Sequence, residues 1–279
     1  MNDFVLTPEN YFSTDAAKAY MSYSQFKSFM HCPAAVMAEL NGEYEPFGRD
    51  AYLEGHLFEA VINGTAQDFY LLHPNVISSK GATKGQPKSN YLKVIDSAEA
   101  FMRQSEMIAL VRRCEKQKII TGEINGVPYK GCIDLYDPET GDCWDTKCMR
   151  NFESVYSPEE GRRMEWWEYY GYQYQAAIYR ELMRQNSVKL SRFGLMAATK
   201  ETVPDVDWLQ FDDRLLDAAY DIVYELSPSF QMIKAGLIDA EPCGKCDYCK
   251  SVKRVTEPTI LSQYGTITEG MEEEYGTDN

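Results

Sequence analysis

The run Val127-Pro-Tyr-Lys-Gly-Cys-Ile-Asp-Leu-Tyr136, then Asp137-Pro-Glu-Thr-Gly141, then Asp142-Cys-Trp-Asp-Thr-Lys-Cys148, carries the most regular β-signal in the chain. Its middle section, proline second and glycine fifth, reads as a five-residue hairpin loop between two strands. Alternation puts Lys130, Cys132 and Asp134 on one face of the first strand, and Tyr129, Ile133 and Leu135 on the other. On the second strand Asp145 and Lys147, two apart, point the same way. If the two faces coincide, Asp134, Asp145 and Lys147 converge across the hairpin. Two carboxylates suit Mg²⁺, a hard cation that takes one or two of them together with phosphate oxygens. The lysine then orients or deprotonates a water, or neutralises charge on the phosphate. The plainer alternative is a solvated hairpin face, since Asp-x-Lys arises by chance in many chains.

Outward from the hairpin, residues 22–32 read as a short helix capped by Ser22 or Ser24, and 50–62 as another ending near Asn63-Gly64. Residues 79–93 hold four lysines, two glycines, a proline and no acid, and read as a mobile basic loop. Helices are expected over 97–114, 166–185 and 212–234, and a third strand over 192–199. The pattern is α/β.

Twenty-eight basic residues against 43 acidic give a net charge of −15, with 44% apolar and 25% charged residues, as in ordinary globular chains. Aromatic content of 13% argues against wholesale disorder. The longest apolar runs fall far short of the roughly 20 residues a bilayer needs. Met1-Asn2-Asp3-Phe4 is unlike a secretory signal, so a cytoplasmic protein is expected. The expected organisation is a lead over 1–20, one domain over 21–255, and an acidic disordered tail over 256–279. Of eight cysteines, Cys243, Cys246 and Cys249 are clustered and the others scattered. In a reducing compartment such thiols are metal ligands or buried groups rather than disulfides. Three thiolates want a fourth to complete a tetrahedral metal site or a cubane cluster.

Asp134, ten residues, then Asp145-Thr-Lys147 on a hairpin resembles the core of the PD-(D/E)XK nucleases. Gln175 and Tyr179, four apart on one helix face, resemble the Gln-x-x-x-Tyr pair of their RecB-like branch. That branch carries Gly-x-x-x-His upstream, where this chain has Gly55-His-Leu-Phe-Glu59. His56 lies about 100° round the helix from Gly55, and Glu59 keeps an oxygen ligand available. Three further segments add to this: Met21-Ser-Tyr-Ser-Gln-Phe-Lys-Ser-Phe, Glu123-Ile-Asn-Gly-Val-Pro-Tyr-Lys-Gly and the final Cys-x-x-Cys-x-x-Cys. Their order resembles a phage or prophage subgroup of RecE-like nucleases (exodeoxyribonuclease VIII type), over about residues 20–255.

The resemblance implies a small central mixed sheet flanked by helices, and a Mg²⁺- or Mn²⁺-dependent exonuclease that resects linear duplex DNA ends in phage-type recombination. It implies a single-strand annealing partner of the RecT type, a homo-oligomeric ring, and action in a bacterial cytoplasm. Glu59, Asp134 and Asp145 would hold the cation, with the Thr146 carbonyl completing the shell. Lys147 would position the attacking water, and Gln175 and Tyr179 would contact DNA near the scissile phosphate. Cys32, in His31-Cys32-Pro33, would join Cys243, Cys246 and Cys249 around a 4Fe–4S cluster that clasps both ends of the domain, with Zn²⁺ as the alternative. Lys80, Lys84, Lys88, Lys130, Arg162 and Arg163 are candidate DNA contacts, against the reading that lysine loops are simply solvated. Trp166, Trp167, Tyr169, Tyr170 and Tyr172 are either stacking platforms or half core. Two rivals remain: an iron–sulfur end-trimming nuclease of CRISPR adaptation, and a DNA-end binding protein whose site has decayed.

Overall fold

The structure is a computed structural model and describes residues 4–46 and 49–258. The acidic tail therefore lies almost wholly outside the described residues. Its strands are β1 (Glu115–Ile124), β2 (Val127–Asp137), β3 (Asp142–Met149), β4 (Val155–Ser157), β5 (Arg162–Met164), β6 (Phe193–Thr199) and β7 (Val206–Gln210). Helices α1 (Thr14–Ala19), α2 (Tyr23–His31), α3 (Pro33–Leu40), α4 (Arg49–Ile62) and α5 (Ala66–Leu72) precede α6 (Ser89–Met102) and α7 (Ser105–Arg113). Then come α8 (Trp166–Tyr169), α9 (Tyr172–Gln185), α10 (Asp213–Lys234) and α11 (Asp247–Val252).

The expected hairpin forms as β2 and β3, and β1 joins β2 through a tight turn. Asn125 and Gly126 take φ of 48° and 77°, the left-handed pair that a two-residue turn requires. The sheet runs β1-β2-β3-β6-β7, parallel only where β3 meets β6. Strand β6 is buried at every position, as expected of a strand covered on both faces.

One face packs against α2, α3, α9 and α10, where Phe26 and Phe29 meet Phe230 at centroid distances of 5.4 and 5.3 Å. Burying each such ring contributes about 2–3 kcal/mol. The other face carries α4 to α7, with Leu57, Phe58, Val94 and Phe101 against Leu135, Trp144 and Met196. Helix α10 contains Pro228, which has no N–H to give the Tyr224 carbonyl one turn back. The side-chain amide of Asn125 donates to that carbonyl at 2.9 Å, tying the β1–β2 turn to the helix.

Some elements differ from expectation. The helix expected over 97–114 is two, because Arg103 and Gln104 break α6 from α7 and leave Met102 exposed. The basic segment is a loop folded on itself over 79–88, and its remainder opens a helix. Ser78 N–H donates to the Gln86 carbonyl, Gly85 N–H to the Ser78 carbonyl, and α6 begins at Ser89. The helix expected over 166–185 is broken at Gly171, whose φ of 76° lies in the left-handed region. The Tyr23 hydroxyl donates at 2.7 Å to the Tyr170 carbonyl left over at that break. Among the described residues, no helix is long and apolar enough to cross a membrane.

Candidate active site

Strands β2 and β3 pair only at their turn-proximal ends, from Asp137↔Asp142 to Leu135↔Trp144. Beyond that rung they part: β2 stays with β1 and β3 runs beside β6. Asp134 and Asp145 are the first residues past the last rung, so both stand at the mouth of a fork. Residues around Met21 enter it from the other side, with Met21 N–H donating to the Pro128 carbonyl and Lys130 N–H to the Met21 carbonyl. What results is a cleft of about 500 Å³ that includes Glu59, Asp134, Asp145, Lys147, Gln175 and Tyr179 in its lining.

The fork leaves backbone groups without ladder partners, and side chains satisfy them. Asp134 Oδ2 accepts from Thr146 N–H at 2.9 Å and from its hydroxyl at 3.3 Å. Thr146 thus enters the site through its N–H and hydroxyl, both committed to Asp134. Burial, then the charges of Asp145 and Glu59, push the Asp134 carboxyl well above the usual range. Burial likewise raises Glu59, on α4, to about 7, with Lys147 opposing and Asp145 reinforcing. Three carboxylates that repel one another in a semi-enclosed cleft are the donor set of a hard divalent cation, which removes the repulsion it is attracted by.

Lys147 pairs with Asp145 Oδ2, and its ammonium lies 4.9 Å from the centre of the Tyr172 ring. Burial alone would lower its pKa, but Asp145, Tyr172 and Asp134 outweigh it and hold the ammonium well above its ordinary value. The ammonium is thus held beside Asp145, where it can orient a ligand and offset negative charge. Gln175 Nε2 donates to Asp145 Oδ1 at 2.7 Å. The Tyr179 hydroxyl accepts from Cys132 N–H at 3.4 Å. Its ring packs where a side chain at residue 131 would stand, 2.7 Å from a built Cβ, so Gly131 makes room for it. His56 also lines the cleft, but its ring lies 4.0 Å from that of Tyr52, and burial then His73 lower its pKa, favouring the neutral form.

Gln117 belongs to the site and escaped the sequence reading. It takes φ 52°, rare for a residue with a side chain, inside β1. Its Nε2 stands 3.3 Å from Glu59 Oε2 and 3.4 Å from Asp134 Oδ1, while Cys132 Sγ donates to its Oε1 at 3.0 Å. The amide thus bridges two of the carboxylates at the centre of the cleft.

The candidate DNA contacts are dispersed. Lys130 lines the catalytic cleft but is buried, its ammonium given to the Tyr11 carbonyl and lying over the Tyr11 ring. Lys80, Lys84 and Lys88 are exposed and lie outside the cleft lining. Arg162 is paired with Glu168, and Arg163 with the Ser154 side chain and carbonyl. Trp166 stacks on Phe152 and Trp167 meets Phe211, so most of the aromatic run is core; only Tyr172 reaches Lys147.

The cysteines that sequence separates come together. Cys32 ends α2 and caps α3, whose first residue is Pro33, a normal helix start. Cys246 caps α11, its Sγ accepting from Cys249 N–H at 3.5 Å. Sulfurs of Cys32, Cys243, Cys246 and Cys249 all lie within 4.8 Å of one another. Burial would raise Cys243, but the amides of Lys245 and Cys246 outweigh it and bring the thiol down to about 6. This is the donor set of a four-thiolate metal site.

Fold and site together define a nuclease of the PD-(D/E)XK class. The chain belongs to the family described as PDDEXK-like domain of unknown function (DUF3799), whose model matches residues 22–252. It is similar to a protein of Eubacterium rectale, known from a crystal structure and named provisionally as an exonuclease. The two share 28% identity at a TM-score of 0.85, over 94% of this chain and 98% of that one. The likeness to SSO0001, at 14% identity and a TM-score of 0.34 over 85% of this chain and 96% of that one, is too loose to argue from. No curated protein matches the sequence.

Proposed function

We propose that the chain is a divalent-cation-dependent exodeoxyribonuclease acting on the ends of linear duplex DNA. The observation that carries this reading is the convergence of Glu59, Asp134, Asp145 and Lys147 in one cleft at the fork of β2 and β3. Glu59, Asp134 and Asp145 would hold Mg²⁺ or Mn²⁺, which supplies Lewis-acid stabilisation of the charge that develops on phosphate oxygens. Gln175 and Lys147 fix both oxygens of Asp145, and Thr146 fixes one of Asp134, so the carboxylates are oriented before any ligand arrives. Lys147 holds the attacking water and offsets the negative charge of the pentavalent transition state. Tyr179 and Gln175, side by side on α9, bound the scissile strand.

The motif order favours a RecE-like role in phage-type recombination, with a RecT-type annealing protein as partner and a ring of identical chains as the working form. The four cysteines would hold a metal that clasps α3 to α11. Cys32 and Cys249 sulfurs are 3.6 Å apart, and those of Cys243 and Cys249 3.9 Å. Zinc–sulfur bonds of about 2.3 Å in a tetrahedron place sulfurs about 3.8 Å apart. A cubane spreads its thiolates further, so this spacing favours one Zn²⁺ over the 4Fe–4S cluster the resemblance implies.

Linear duplex DNA labelled at the 5′ or the 3′ end, and closed circular DNA, incubated with Mg²⁺ test the reading. Stepwise loss from one end with the circle untouched is the expected result. Cutting of the circle, or removal of a few nucleotides and no more, points to another kind of nuclease.

A further inference from the structure

Gln117 stands opposite Asp134 at a gap in the β1–β2 ladder. The strands pair Lys116 with Leu135 and Lys118 with Ile133, and the rung between them is missing. The register is the same on both sides of the gap, so no residue is inserted and this is not a bulge. The gap falls where Gln117 takes its φ of 52°. Backbone strain of this kind persists where surrounding contacts hold it, and it gathers at functional sites.

The contacts here are made by the side chain. Gln117 Nε2 donates to Glu59 Oε2 at 3.3 Å and to Asp134 Oδ1 at 3.4 Å, and Oε1 accepts from the Cys132 thiol at 3.0 Å. The other Asp134 oxygen, Oδ2, accepts from Thr146 twice. A cation held by Glu59 and Asp134 therefore seeks oxygens to which the Gln117 amide donates. The partial positive charge of the N–H groups offsets the repulsion between the two carboxylates, as a cation does more strongly. The side chain has room to leave. It is exposed, and it also lines a separate cavity of about 530 Å³ walled by Phe4, Leu6, Tyr20 and Asn186.

We propose that Gln117 is a positioning residue that competes with the catalytic cation, holding Glu59 to Asp134 and withdrawing when the ion takes their oxygens. The inference rests on the nuclease reading, which gives those two carboxylates to the cation, and adds a brake on cation binding. A contact made in only one of two states lowers the affinity of any ligand that favours the other.

The test is isothermal titration of the full-length protein with Mn²⁺, beside thermal unfolding with and without the ion. Gln117→Met keeps the bulk and removes the donor. It is expected to bind Mn²⁺ at least about threefold more tightly than wild type, the worth of a lost hydrogen bond. It should melt below wild type without the ion and level with it in saturating Mn²⁺. Gln117→Gly, which suits the left-handed backbone but lacks the amide, should share the gain in affinity. Asp134→Asn should weaken binding, which places the ion in the cleft and not among the cysteines. Unchanged or weaker affinity in both Gln117 variants, or a melting loss in Gln117→Met that is the same with and without Mn²⁺, overturns the competition and leaves the nuclease reading intact. No Mn²⁺ binding by wild type or either variant, with every DNA left uncut in Mg²⁺, overturns both.

Discussion

The amide of Gln175 donates to one oxygen of Asp145 at 2.7 Å, while Lys147 takes the other. Asp145 is buried at the fork, so its orientation is set by these two groups and by nothing from solvent. Removing Gln175 leaves a buried acceptor unpaired, worth about 1–3 kcal/mol. Gln175→Ala is therefore expected to lower kcat by about 10- to 100-fold with little change in KM for DNA. Steady-state kinetics on linear duplex, beside the melting temperature, check this; an unchanged kcat removes Gln175 from the positioning set.

Lys147 is the only cation drawn into contact with the carboxylates of the cleft among the described residues. Its loss should abolish turnover by at least about 100-fold, as for other groups that act on the reacting centre. The same change leaves the site more negative, so Lys147→Met is expected to bind Mn²⁺ at least as tightly as wild type. Isothermal titration with Mn²⁺ separates the two effects. Weaker binding by the variant contradicts the view that Lys147 competes with the cation for Asp145.

Glu59 has its pKa raised from the ordinary 4.5 to about 7, by burial first. A carboxyl whose folded value exceeds its unfolded value takes up a proton on folding. Its contribution is thus most favourable at low pH and declines as pH rises from about 4.5 through about 7. Asp134 shifts in the same sense. Metal-free protein should lose melting temperature across that window, while cation affinity rises across it because the proton must leave first. Glu59→Gln should flatten both slopes and weaken cation binding. Melting curves between pH 5 and 8, with and without Mg²⁺, read both; a rise in metal-free stability with pH contradicts the assignment.

The clasp predicts one zinc per chain and a colourless protein. Four thiolates that fold around an ion contribute directly to stability, so a chelator should lower the melting temperature, and Cys32→Ser should do so without one. Elemental analysis with an absorption spectrum decides the occupant. A brown protein holding iron restores the 4Fe–4S cluster and shows that the thiolates spread to receive it.

Asn125 supplies both a left-handed residue in the β1–β2 turn and the donor that Pro228 leaves the Tyr224 carbonyl without. Asn125→Ala loses both and is expected to destabilise by about 1–2 kcal/mol, and Asn125→Gly by less, since glycine keeps the turn. Urea denaturation of the two variants distinguishes them. Equal losses assign the whole effect to the side-chain amide.

What sequence made legible was local. The hairpin followed from Pro138 and Gly141, and alternation put Asp134, Asp145 and Lys147 on one side because both strands stay extended past the fork, β2 paired with β1 and β3 with β6. Strand β1 was missed although Asn125-Gly126, a strong hairpin signal, stood in plain view. The break at Gly171 was hidden because the aromatic run on both sides of it reads as one continuous apolar helix face, although an interior glycine is a weak breaker signal. Lys130 is a candidate DNA contact in the sequence, and only the fold reveals that Tyr11, far away in the chain, takes its ammonium. Gln117 had no readable signal at all, since its part in the site comes from a left-handed backbone that its residue type does not favour.

The most direct test is single-turnover cleavage of end-labelled linear duplex DNA in Mg²⁺ by wild type and by Asp145→Asn. The account predicts progressive shortening by wild type, none without the cation, and none by the variant although it remains folded. Intact DNA with wild type in both Mg²⁺ and Mn²⁺, or cutting by Asp145→Asn at the wild-type rate, contradicts it.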